Sequence, residues 1–317
     1  MTPIRTGVAG VGHLGYHHAR LYASMDEAAL VGVADPDEER GAEVAETFGC
    51  AAYPSVEALI DAGVEAVSVV APTTAHASLT QRLLGAGVDV LVEKPIASTV
   101  GEAEAMVAKA AEAGRILQVG HVERFNGAVE ALLGAIKQPR FIECHRLSPY
   151  PARGHDVSVV HDLMIHDLEI VRALVPGAVS QIDAVGIPVF SETEDIANVR
   201  LRFDTGCVAN LTCSRISLER MRKIRIFEPD AYVSTNYSEQ EVVVYRKKPG
   251  RAPAGGNPME LITMDPLDVD REEPLKKELQ AFLTSVKTRR PPTVDGEQGT
   301  EALRLAQDIV SRIREQA

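Results

Sequence analysis

The chain has 317 residues and a formal net charge of −12, with 45% hydrophobic and 25% charged residues. This composition is typical of a folded globular protein, and the length favours two domains. The acidic balance argues against a nucleic-acid partner, whose phosphates need a basic surface. No apolar run approaches the roughly 20 residues of a membrane span, and the first predicted strand begins too close to Met1 to leave room for a signal peptide. Neither a membrane nor a nucleic acid is therefore predicted as a partner.

The four cysteines, Cys50, Cys144, Cys207 and Cys213, are scattered and form no C-x-x-C pair. They predict neither a disulfide framework nor a zinc knuckle, and they are consistent with a reducing cytoplasmic location. Cys207 and Cys213 lie on strand-like sequence, so packing is a better interpretation for them than metal binding.

In the first 120 residues, short apolar strands alternate with amphipathic helices. This alternation predicts a parallel sheet that is covered by helices on both faces. Ligands of such sheets bind beyond the carboxyl ends of the strands, so the segments that follow each strand are the candidates for function. The predicted strands lie near residues 4–9, 29–34, 51–53, 66–71, 90–92 and 116–119.

The turn between the first strand and the first helix carries a G-x-G-x-x-G spacing at Gly10, Gly12 and Gly15. In this spacing the first glycine permits the tight turn, the second lets a pyrophosphate approach the backbone, and the third lets helix and strand pack closely. Free N–H groups at the helix N-terminus, near His13 and Leu14, then favour the phosphates. The turn predicts a dinucleotide site.

Asp35 ends the second predicted strand, twenty residues beyond Gly15. A carboxylate at this position can accept hydrogen bonds from the ribose hydroxyls of an adenosine. The acidic residues at 37–39 would repel a 2′-phosphate, so NAD is favoured over NADP. Arg40 keeps NADP open, because a nearby arginine can bind that phosphate. A role of Asp35 as the cap of the next helix is compatible with either cofactor.

After about His121 the sequence changes character. Helices are predicted over 124–136 and 159–174, and a strand over 141–147. Strand-like pieces with period-two alternation follow, and two helices near 274–286 and 300–314 close the chain. The predicted fold class is α/β: an NAD-binding Rossmann domain at 1–120, and an α+β domain at 121–317 with an open, mostly antiparallel sheet. We expect the last helix to be able to pack back on the first domain. The open sheet predicts a homodimer or homotetramer.

Lys94 directly follows a buried predicted strand and stands between Glu93 and Pro95. Because a proline biases the residue before it toward extended backbone, the lysine side chain is held rather than free. At the carboxyl edge of the sheet its ammonium would lie near a nicotinamide, where it can polarise a substrate oxygen or share in proton transfer. A solvated lysine at a strand end remains the alternative.

Asp162 and His166 are four residues apart, so on a helix they share a face. A carboxylate beside an imidazole fixes its tautomer and stabilises the imidazolium, as a general base requires. A zinc site of the H-E-x-x-H type needs two histidines and a third ligand, so no metal is predicted. An ion pair on a solvated helix face is the alternative.

Basic residues cluster in two places in this acidic chain. His145, Arg146, Arg153 and His155 flank or lie in a loop rich in proline and glycine, which suggests a site for a phosphorylated or carboxylated substrate. The second cluster, over 215–225, is interpreted as a solvated strand or an interface rim.

Five segments together resemble the Gfo/Idh/MocA oxidoreductases, and the resemblance covers nearly the whole chain. It implies a Rossmann domain followed by an open-faced sheet domain, with Lys94, Asp162 and His166 as the catalytic group. It also implies that Pro72, Thr73, His76 and Glu93 line the NAD site. The segments are 10–15, 71–76, 93–95, 120–125 and 162–166.

Within this family, segments 120–126 and 160–167 are most similar to nucleotide-sugar 3-dehydrogenases. This implies NAD-dependent oxidation of the C3 hydroxyl of UDP-N-acetylglucosamine, or of its uronic acid, to a ketone. Arg124, Arg153 and His155 are the candidate substrate contacts. Two alternatives remain: a dehydrogenase of an unphosphorylated sugar or polyol, and a non-enzymatic NAD-binding regulator. A regulator would be expected to lack the lysine or the histidine, and both are present.

Overall fold

A computed structural model describes residues 2–150, 157–248 and 258–316. The chain divides into two compact units. The first comprises Met1–Val122 and Glu273–Leu303, and the second comprises Glu123–Glu272 and Arg304–Ala317. The division differs from the predicted domains, because 273–303 groups with the first unit instead of the second.

The first unit begins with alternating strands and helices. Its sheet has six strands, and all neighbouring pairs are parallel, as the alternation predicts. The elements are β1 (Ile4–Ala9), α1 (His13–Ser24), β2 (Ala28–Ala34), α2 (Glu38–Phe48), β3 (Ala51–Tyr53), α3 (Val56–Asp61), β4 (Ala66–Val69), α4 (Thr73–Gly85), β5 (Asp89–Glu93), α5 (Val100–Ala113) and β6 (Leu117–Gly120). The strand order is β3-β2-β1-β4-β5-β6.

Local capping signals set the bounds of these helices. The carboxylate of Asp37 accepts the N–H of Arg40 and caps α2, which ends at Gly49 with a positive φ of 68°. The cap of α2 is therefore Asp37 and not Asp35. Helix α5 begins with a reciprocal capping box between Thr99 and Glu102.

The second unit contains an eight-stranded sheet in the order β14-β13-β12-β11-β7-β10-β9-β8. All its strand pairs are antiparallel except β7 with β10. The elements are a 3₁₀ turn (Val122–Phe125), α6 (Gly127–Ala135), β7 (Phe141–Leu147), a π-helical turn (Val160–Met164), α7 (Ile165–Leu174), β8 (Val179–Ile187), β9 (Ile196–Phe203), β10 (Val208–Ser214), β11 (Met221–Phe227), β12 (Ala231–Asn236), β13 (Glu241–Lys247), a 3₁₀ turn (Pro258–Leu261) and β14 (Ile262–Pro266). The predicted open, mostly antiparallel sheet is confirmed.

Two closing helices follow, α8 (Pro274–Thr288) and α9 (Gly296–Gln316). The apolar face of α8 buries Leu279 and Phe282 in a core that includes Tyr22 of α1 and Val8 of β1. This packing is the physical reason that 273–303 belongs to the first unit. The first turns of α9 belong to the same unit, and its later turns contribute to the core of the second. None of the described helices is long and apolar enough to cross a membrane.

One predicted helix differs from the structure, and two of its strands were not predicted. The predicted helix at 124–136 is interrupted at Asn126, whose side chain accepts the N–H of Ala128 and starts α6 afresh. The strands β12 and β14 were not predicted, because they have no long apolar run and depend on pairing with β11 and β13.

A row of apolar side chains crosses the face of the second sheet opposite the helices. Phe141 pairs with Phe227, which pairs with Tyr232, and Tyr232 pairs with Tyr245. The ring centroids along this row are 5.7, 4.8 and 5.2 Å apart, and Met264 extends it onto β14. We call these five residues the aromatic row. An open sheet face with such a row is a candidate interface.

The packing of α8 predicts that truncating Phe282 destabilises the first unit. Phe282 is fully buried, so Phe282→Ala should lower the free energy of unfolding by about 3–5 kcal/mol. Thr284→Ala changes an exposed residue of the same helix and should change it by less than about 0.5 kcal/mol. Urea unfolding followed by circular dichroism measures both. Equal effects of the two substitutions would contradict the assignment of α8 to this core.

Candidate active site

The turn between β1 and α1 is closed by backbone contacts that only glycine permits. Gly10 has φ +88°, and a Cβ there would lie 2.8 Å from the backbone of Ala71. A Cβ on Gly15 would lie 1.9 Å from the carbonyl oxygen of Gly10. At Gly12, by contrast, a Cβ would meet no atom within 4 Å, and no side chain caps the N-terminus of α1. The resulting open cradle with unpaired helix N–H groups fits a pyrophosphate.

Asp35 lies directly beside this turn. Its carboxylate accepts the N–H of Val11 at 2.7 Å and the N–H of Asp37 at 2.9 Å. A carboxylate has about four lone-pair sites, so it keeps acceptors for the two ribose hydroxyls that the sequence assigns to it. Both hydrogen bonds fix the carboxylate at the mouth of the cradle.

Arg40 braces the same turn. Its Nε donates to the carbonyl oxygen of Val11 at 2.9 Å, one of its terminal nitrogens donates to Glu43 at 2.6 Å, and its guanidinium lies 5.5 Å from the ring centre of Tyr16. The charge of Arg40 is thus paired with Glu43, and Asp35 binds the N–H of the same Val11. These contacts favour NAD over NADP at this site.

A cleft of about 690 Å³ opens in front of the cradle, within the size range of small-molecule sites. Of the predicted cofactor contacts, Gly10, Gly12, Asp35 and Pro72 line it. His13 and Leu14 are exposed at the start of α1, and Thr73 is half-buried at the start of α4. Further lining residues come from the segments after β2 and β3 and from α4, and they include Pro36, Pro54, Val56, Leu79 and Arg82.

His76 connects the ends of two neighbouring strands. Its ring is buried, with Nε2 2.8 Å from the carbonyl oxygen of Ala71 and Nδ1 2.9 Å from that of Pro95. A neutral imidazole has a single donor, so both contacts are hydrogen bonds only when the ring is protonated. This arrangement makes His76 a positioning residue for the segment that carries Lys94. Its direct contact with NAD remains a prediction.

Lys94 is half-buried and follows directly after β5. Its N–H donates to Oε2 of Glu93 at 3.2 Å, and the peptide bond between Lys94 and Pro95 is cis. The Glu93 carboxylate is buried against the last residue of β6, since a Cβ on Gly120 would lie 2.7 Å from Oε1. Glu93 is therefore enclosed by the protein, and its predicted contact with NAD stays a prediction.

In the second unit, the predicted continuous helix at 159–174 is wrong over its first turn. Residues 160–164 form a π-helical turn, and α7 begins only at Ile165. Asp162 lies on the π turn and His166 on the first turn of α7, and both are half-buried. Isolated π turns occur frequently at functional sites. Asp162 and His166 therefore lie on consecutive turns, but the wider turn changes the angle between them from that of a regular helix.

A buried arginine of β7, Arg146, holds the first turn of α7 in place. Arg146 is 3% exposed, and its guanidinium binds both oxygens of Asp167 at 2.9 Å each and one oxygen of Glu123 at 3.0 Å. Its guanidinium also lies 5.8 Å from the ring centre of Tyr237. The prediction that Arg146 belongs to a substrate-anion site is wrong, because the protein's own carboxylates occupy it. Asp167 directly follows His166, so the bidentate pair holds the backbone of the candidate base.

Arg124, a predicted substrate contact, forms an ion pair with Glu169 of α7. Glu169 is 3% exposed, and its Oε2 makes no hydrogen bond within the described part of the chain. Burial raises the pKa of Glu169 to about 7, an effect that the guanidinium of Arg124 offsets only in part. The other two candidate substrate contacts, Arg153 and His155, lie outside the described residues.

The second basic cluster was predicted to be a solvated strand or an interface rim, and Arg215 fits neither interpretation because it is buried. Arg215 is 1% exposed and donates to Asp195 at 2.7 Å and to the carbonyl oxygen of Val157 at 2.5 Å. Although burial opposes ionisation, the N–H of Phe190 and the guanidinium of Arg215 hold the pKa of Asp195 well below its usual range. Through its hydrogen bond to Val157, Arg215 holds the backbone just before the π-helical turn.

Cysteine and metal chemistry have little support in the described residues. All four cysteines are free, and Cys144, Cys207 and Cys213 are buried. Burial raises the pKa values of the Cys144 and Cys213 thiols, so both remain protonated packing groups. Within residues 2–150, 157–248 and 258–316, no group of His, Cys, Asp and Glu side chains is arranged to hold a metal ion.

Two family models match this chain. One, described as an oxidoreductase family with an NAD-binding Rossmann fold, matches residues 4–121, and the other, the GFO/IDH/MocA C-terminal domain, matches residues 130–231. The chain belongs to the Gfo/Idh/MocA oxidoreductases. NAD is accordingly the cofactor of its first unit, in agreement with the open cradle and with Asp35.

Known relatives match this family member over two thirds to nearly all of its length. It is 37% identical over 310 residues to UDP-N-acetylglucosamine 3-dehydrogenase of Acidithiobacillus ferrooxidans, which covers 98% of this chain and 97% of the relative. A solved structure of that enzyme matches with a TM-score of 0.90 at 34% identity, over 99% of this chain and 98% of the other. A scyllo-inositol 2-dehydrogenase (NAD(+)) of Bacillus subtilis is 31% identical over 234 residues, 68% of each chain.

The contacts of Asp35 predict its contribution to cofactor binding. Asp35→Asn removes a charged acceptor, so it should weaken NADH binding about 10- to 100-fold and reduce the preference for NADH over NADPH. Glu46→Gln, an exposed change on α2, should leave both affinities unchanged. Fluorescence titration of each reduced cofactor provides the measurement. An unchanged NADH affinity in the Asp35 variant would show that the carboxylate serves the turn alone.

The raised pKa of Glu169 predicts a pH-dependent stability. The pKa of Glu169 is about 7 in the folded protein and 4.5 ordinarily. The protonated carboxyl therefore contributes to the free energy of unfolding below pH 4.5, and this contribution is lost as the pH rises through 7. Glu169→Gln should remove this loss, and the variant should gain about 2–3 kcal/mol relative to the wild type between pH 5 and pH 8. Urea unfolding at both pH values measures the difference. Glu130→Gln changes an exposed residue of α6, so this control variant should show no such gain in stability. If the stability of the Glu169 variant changed with pH as that of the wild type does, the raised pKa would be contradicted.

Proposed function

We propose that this family member is an NAD-dependent dehydrogenase that oxidises the C3 hydroxyl of a UDP-N-acetyl sugar, UDP-N-acetylglucosamine or its uronic acid, to a ketone. The observation that carries this proposal is the similarity to a UDP-N-acetylglucosamine 3-dehydrogenase over 98% of the chain, at 37% identity. The match includes both units, so it extends to the half of the chain that distinguishes substrates within the fold.

In the proposed reaction, Lys94, Asp162 and His166 act on one substrate hydroxyl. His166 takes the proton from the hydroxyl oxygen, and Asp162 orients the imidazole and stabilises its charged form. The ammonium of Lys94 donates a hydrogen bond to the same oxygen and stabilises the negative charge that develops there. When bound, NAD supplies the hydride acceptor. Transfer of the proton to Lys94 instead is the alternative.

The local structure of each group supports these roles. Lys94 lies at the carboxyl edge of the parallel sheet, where ligands of such sheets bind. His166 lies beside Asp167, whose bidentate pair with Arg146 restricts the first turn of α7. Restricting the base in this way reduces the reorganisation that proton transfer requires.

Arg124, Arg153 and His155 are the proposed contacts for the anionic part of the substrate. A guanidinium has five N–H donors, so the ion pair between Arg124 and Glu169 leaves donors for a phosphate. Protonation of Glu169 near neutral pH would leave more of the positive charge of Arg124 for the substrate.

A second candidate is a polyol dehydrogenase of the inositol type. It is favoured by the 31% identity to scyllo-inositol 2-dehydrogenase, which extends over 68% of the chain. The shorter match and the basic candidates Arg124, Arg153 and His155 make it the weaker proposal.

A substrate panel tests the reaction. We expect NADH formation with UDP-N-acetylglucosamine or its uronic acid, and none with scyllo-inositol, myo-inositol or glucose. Lys94→Ala should lower kcat about 100-fold or more while NADH affinity stays within about twofold. Lys109→Ala, which changes a lysine paired with Glu112 on α5, should leave both unchanged. Activity with inositol alone would favour the second candidate, and a Lys94 variant that keeps more than about a tenth of kcat would contradict the role of Lys94.

We also propose that the protein forms a homodimer or homotetramer through the aromatic row. The row runs across five neighbouring strands on the face opposite the helices. A twofold axis would bring the same row of two copies together and bury the rings against each other. The partner is a second copy, because an isologous contact needs only this one surface.

If the aromatic row is the interface, a single charged substitution in it should dissociate the oligomer. Tyr232→Asp places a charge in the middle of the row, so a wild-type dimer or tetramer should dissociate to smaller species. Gln181→Asp, an exposed change on the edge strand β8, should not affect assembly. Sedimentation-velocity centrifugation measures the mass of each. A monomeric wild type, or a Tyr232 variant with the wild-type mass, would contradict this interface.

A further inference from the structure

The backbone that leads into the π-helical turn is anchored by residues next to the ends of β9 and β10. The guanidinium of Arg215, which directly follows β10, donates to the carbonyl oxygen of Val157 at 2.5 Å. The N–H of Val159 donates to the carbonyl oxygen of Glu194, two residues before β9, at 3.1 Å. Both contacts lie within the second unit. They fix the backbone on either side of residue 158.

Ser158, the residue between these two anchors, is bound directly to the candidate catalytic turn. Its carbonyl oxygen accepts the N–H of Asp162 at 3.0 Å, and its hydroxyl accepts the N–H of Val160 at 3.2 Å. Ser158 is 5% exposed, so this small network is buried. Because the backbone of Asp162 is bound to an anchored residue, the direction in which its carboxylate points depends on the position of Ser158.

Arg215 forms a buried ion pair whose main contribution is geometric. Its guanidinium donates to Oδ1 of Asp195 at 2.7 Å and to the hydroxyl of Thr193 at 3.1 Å, and the Asp195 side chain is completely buried. A buried ion pair often stabilises a protein no more than well-packed apolar side chains would. Apolar side chains, however, cannot bind a carboxylate and the carbonyl of Val157 at fixed angles, as a planar guanidinium does.

The carboxylate of Asp195 is itself held in place. Its Oδ2 accepts three backbone N–H groups at 2.8, 2.6 and 3.0 Å, from the consecutive residues Val189, Phe190 and Ser191. Asp195 therefore cannot move without breaking the turn that follows β8. Through this ion pair, Arg215 connects a rigid turn to the backbone at Val157.

We propose that Arg215 is a positioning residue that sets the direction of the Asp162 carboxylate toward the imidazole of His166. The inference rests on the proposed roles of Asp162 and His166 in the reaction. Arg215 acts through the backbone, since it holds Val157, and Ser158, the next residue, binds the N–H of Asp162. A carboxylate fixes the tautomer of an imidazole and stabilises its charged form only at the correct distance and angle.

Steady-state kinetics of two Arg215 variants test the proposal. Arg215→Met should lower kcat about 10- to 100-fold, while the KM for NAD stays within about twofold. The acid limb of the pH profile of kcat should move to lower pH by about half a unit to one unit, because a displaced carboxylate stabilises the imidazolium less. Arg215→Lys keeps a cation for Asp195, so it should show smaller changes of the same kind, and it covers the case that the Met variant does not fold.

Two control variants separate positioning from a loss of stability. Val199→Ala opens a cavity at a fully buried position of β9, so it should lower the thermal stability and leave kcat and its pH profile unchanged. Arg200→Met removes another arginine of β9, which donates to Asn210 at 3.0 Å, and it should behave as the wild type in both kinetic measurements. An acid limb that moves equally in Val199→Ala and Arg215→Met would overturn the proposal, as would an unchanged kcat in Arg215→Met.

A measurement without substrate distinguishes a failure of this proposal from a failure of the proposed function. Hydrogen–deuterium exchange followed by mass spectrometry reports how firmly the amides of residues 158–164 are held. They should exchange about tenfold faster in Arg215→Met than in the wild type, and at the wild-type rate in Arg200→Met. Unchanged exchange in a folded Arg215→Met or Arg215→Lys protein would overturn the proposal. Absence of activity on every sugar would contradict the proposed function, and the exchange rates would then decide whether Arg215 anchors the turn.

Discussion

The close contact between the carbonyl oxygen of Gly10 and the backbone of Gly15 is the constraint on which the first unit depends. With a Cβ position only 1.9 Å from that oxygen, α1 can begin at this point only if residue 15 is glycine. The contact fixes the start of α1 against the end of β1, so it also fixes His18 one turn later. The same turn that forms the candidate phosphate cradle therefore sets the position of His18, whose Nε2 lies 3.2 Å from Oε1 of Glu93.

The carboxyl edge of the parallel sheet is linked from strand to strand by contacts of this kind. Asp35 joins the end of β2 to the turn after β1 through the N–H of Val11. His76 joins the segments after β4 and β5 through two carbonyl oxygens, and Glu93 lies against Gly120 at the end of β6. These side chains were predicted as cofactor contacts, and in the structure they also hold the edge together. These links fix the strand ends relative to one another at the edge where ligands of parallel sheets bind.

The sequence predicted what depends on local pattern and missed what depends on distant partners. The glycine spacing and the parallel strands are local, so Gly10, Asp35 and the first sheet followed from the residues alone. The π turn around Asp162 has no local signature. Arg146 was predicted to bind a substrate anion and Arg215 to lie on a solvated strand or an interface rim, whereas both are buried and paired with carboxylates. Their carboxylate partners are twenty or more residues away in the chain. One usable signal existed: Asp167 and Glu169 interrupt the apolar pattern of α7, and a charged residue on an apolar helix face requires a buried partner.

The choice of cofactor shows how a distant contact resolves what the sequence leaves open. Arg40 can serve NADP only if its guanidinium is available to a 2′-phosphate. In the structure it donates to the carbonyl of Val11 and pairs with Glu43, while Asp35 binds the N–H of the same Val11. A phosphate at this position would share the Arg40 guanidinium with Glu43 and would lie beside the turn that holds the Asp35 carboxylate, whose like charge makes its binding unfavourable. The ribose hydroxyls of NAD, by contrast, are donors that this carboxylate can accept. Arg40 therefore stabilises the turn that NAD uses and does not change its specificity.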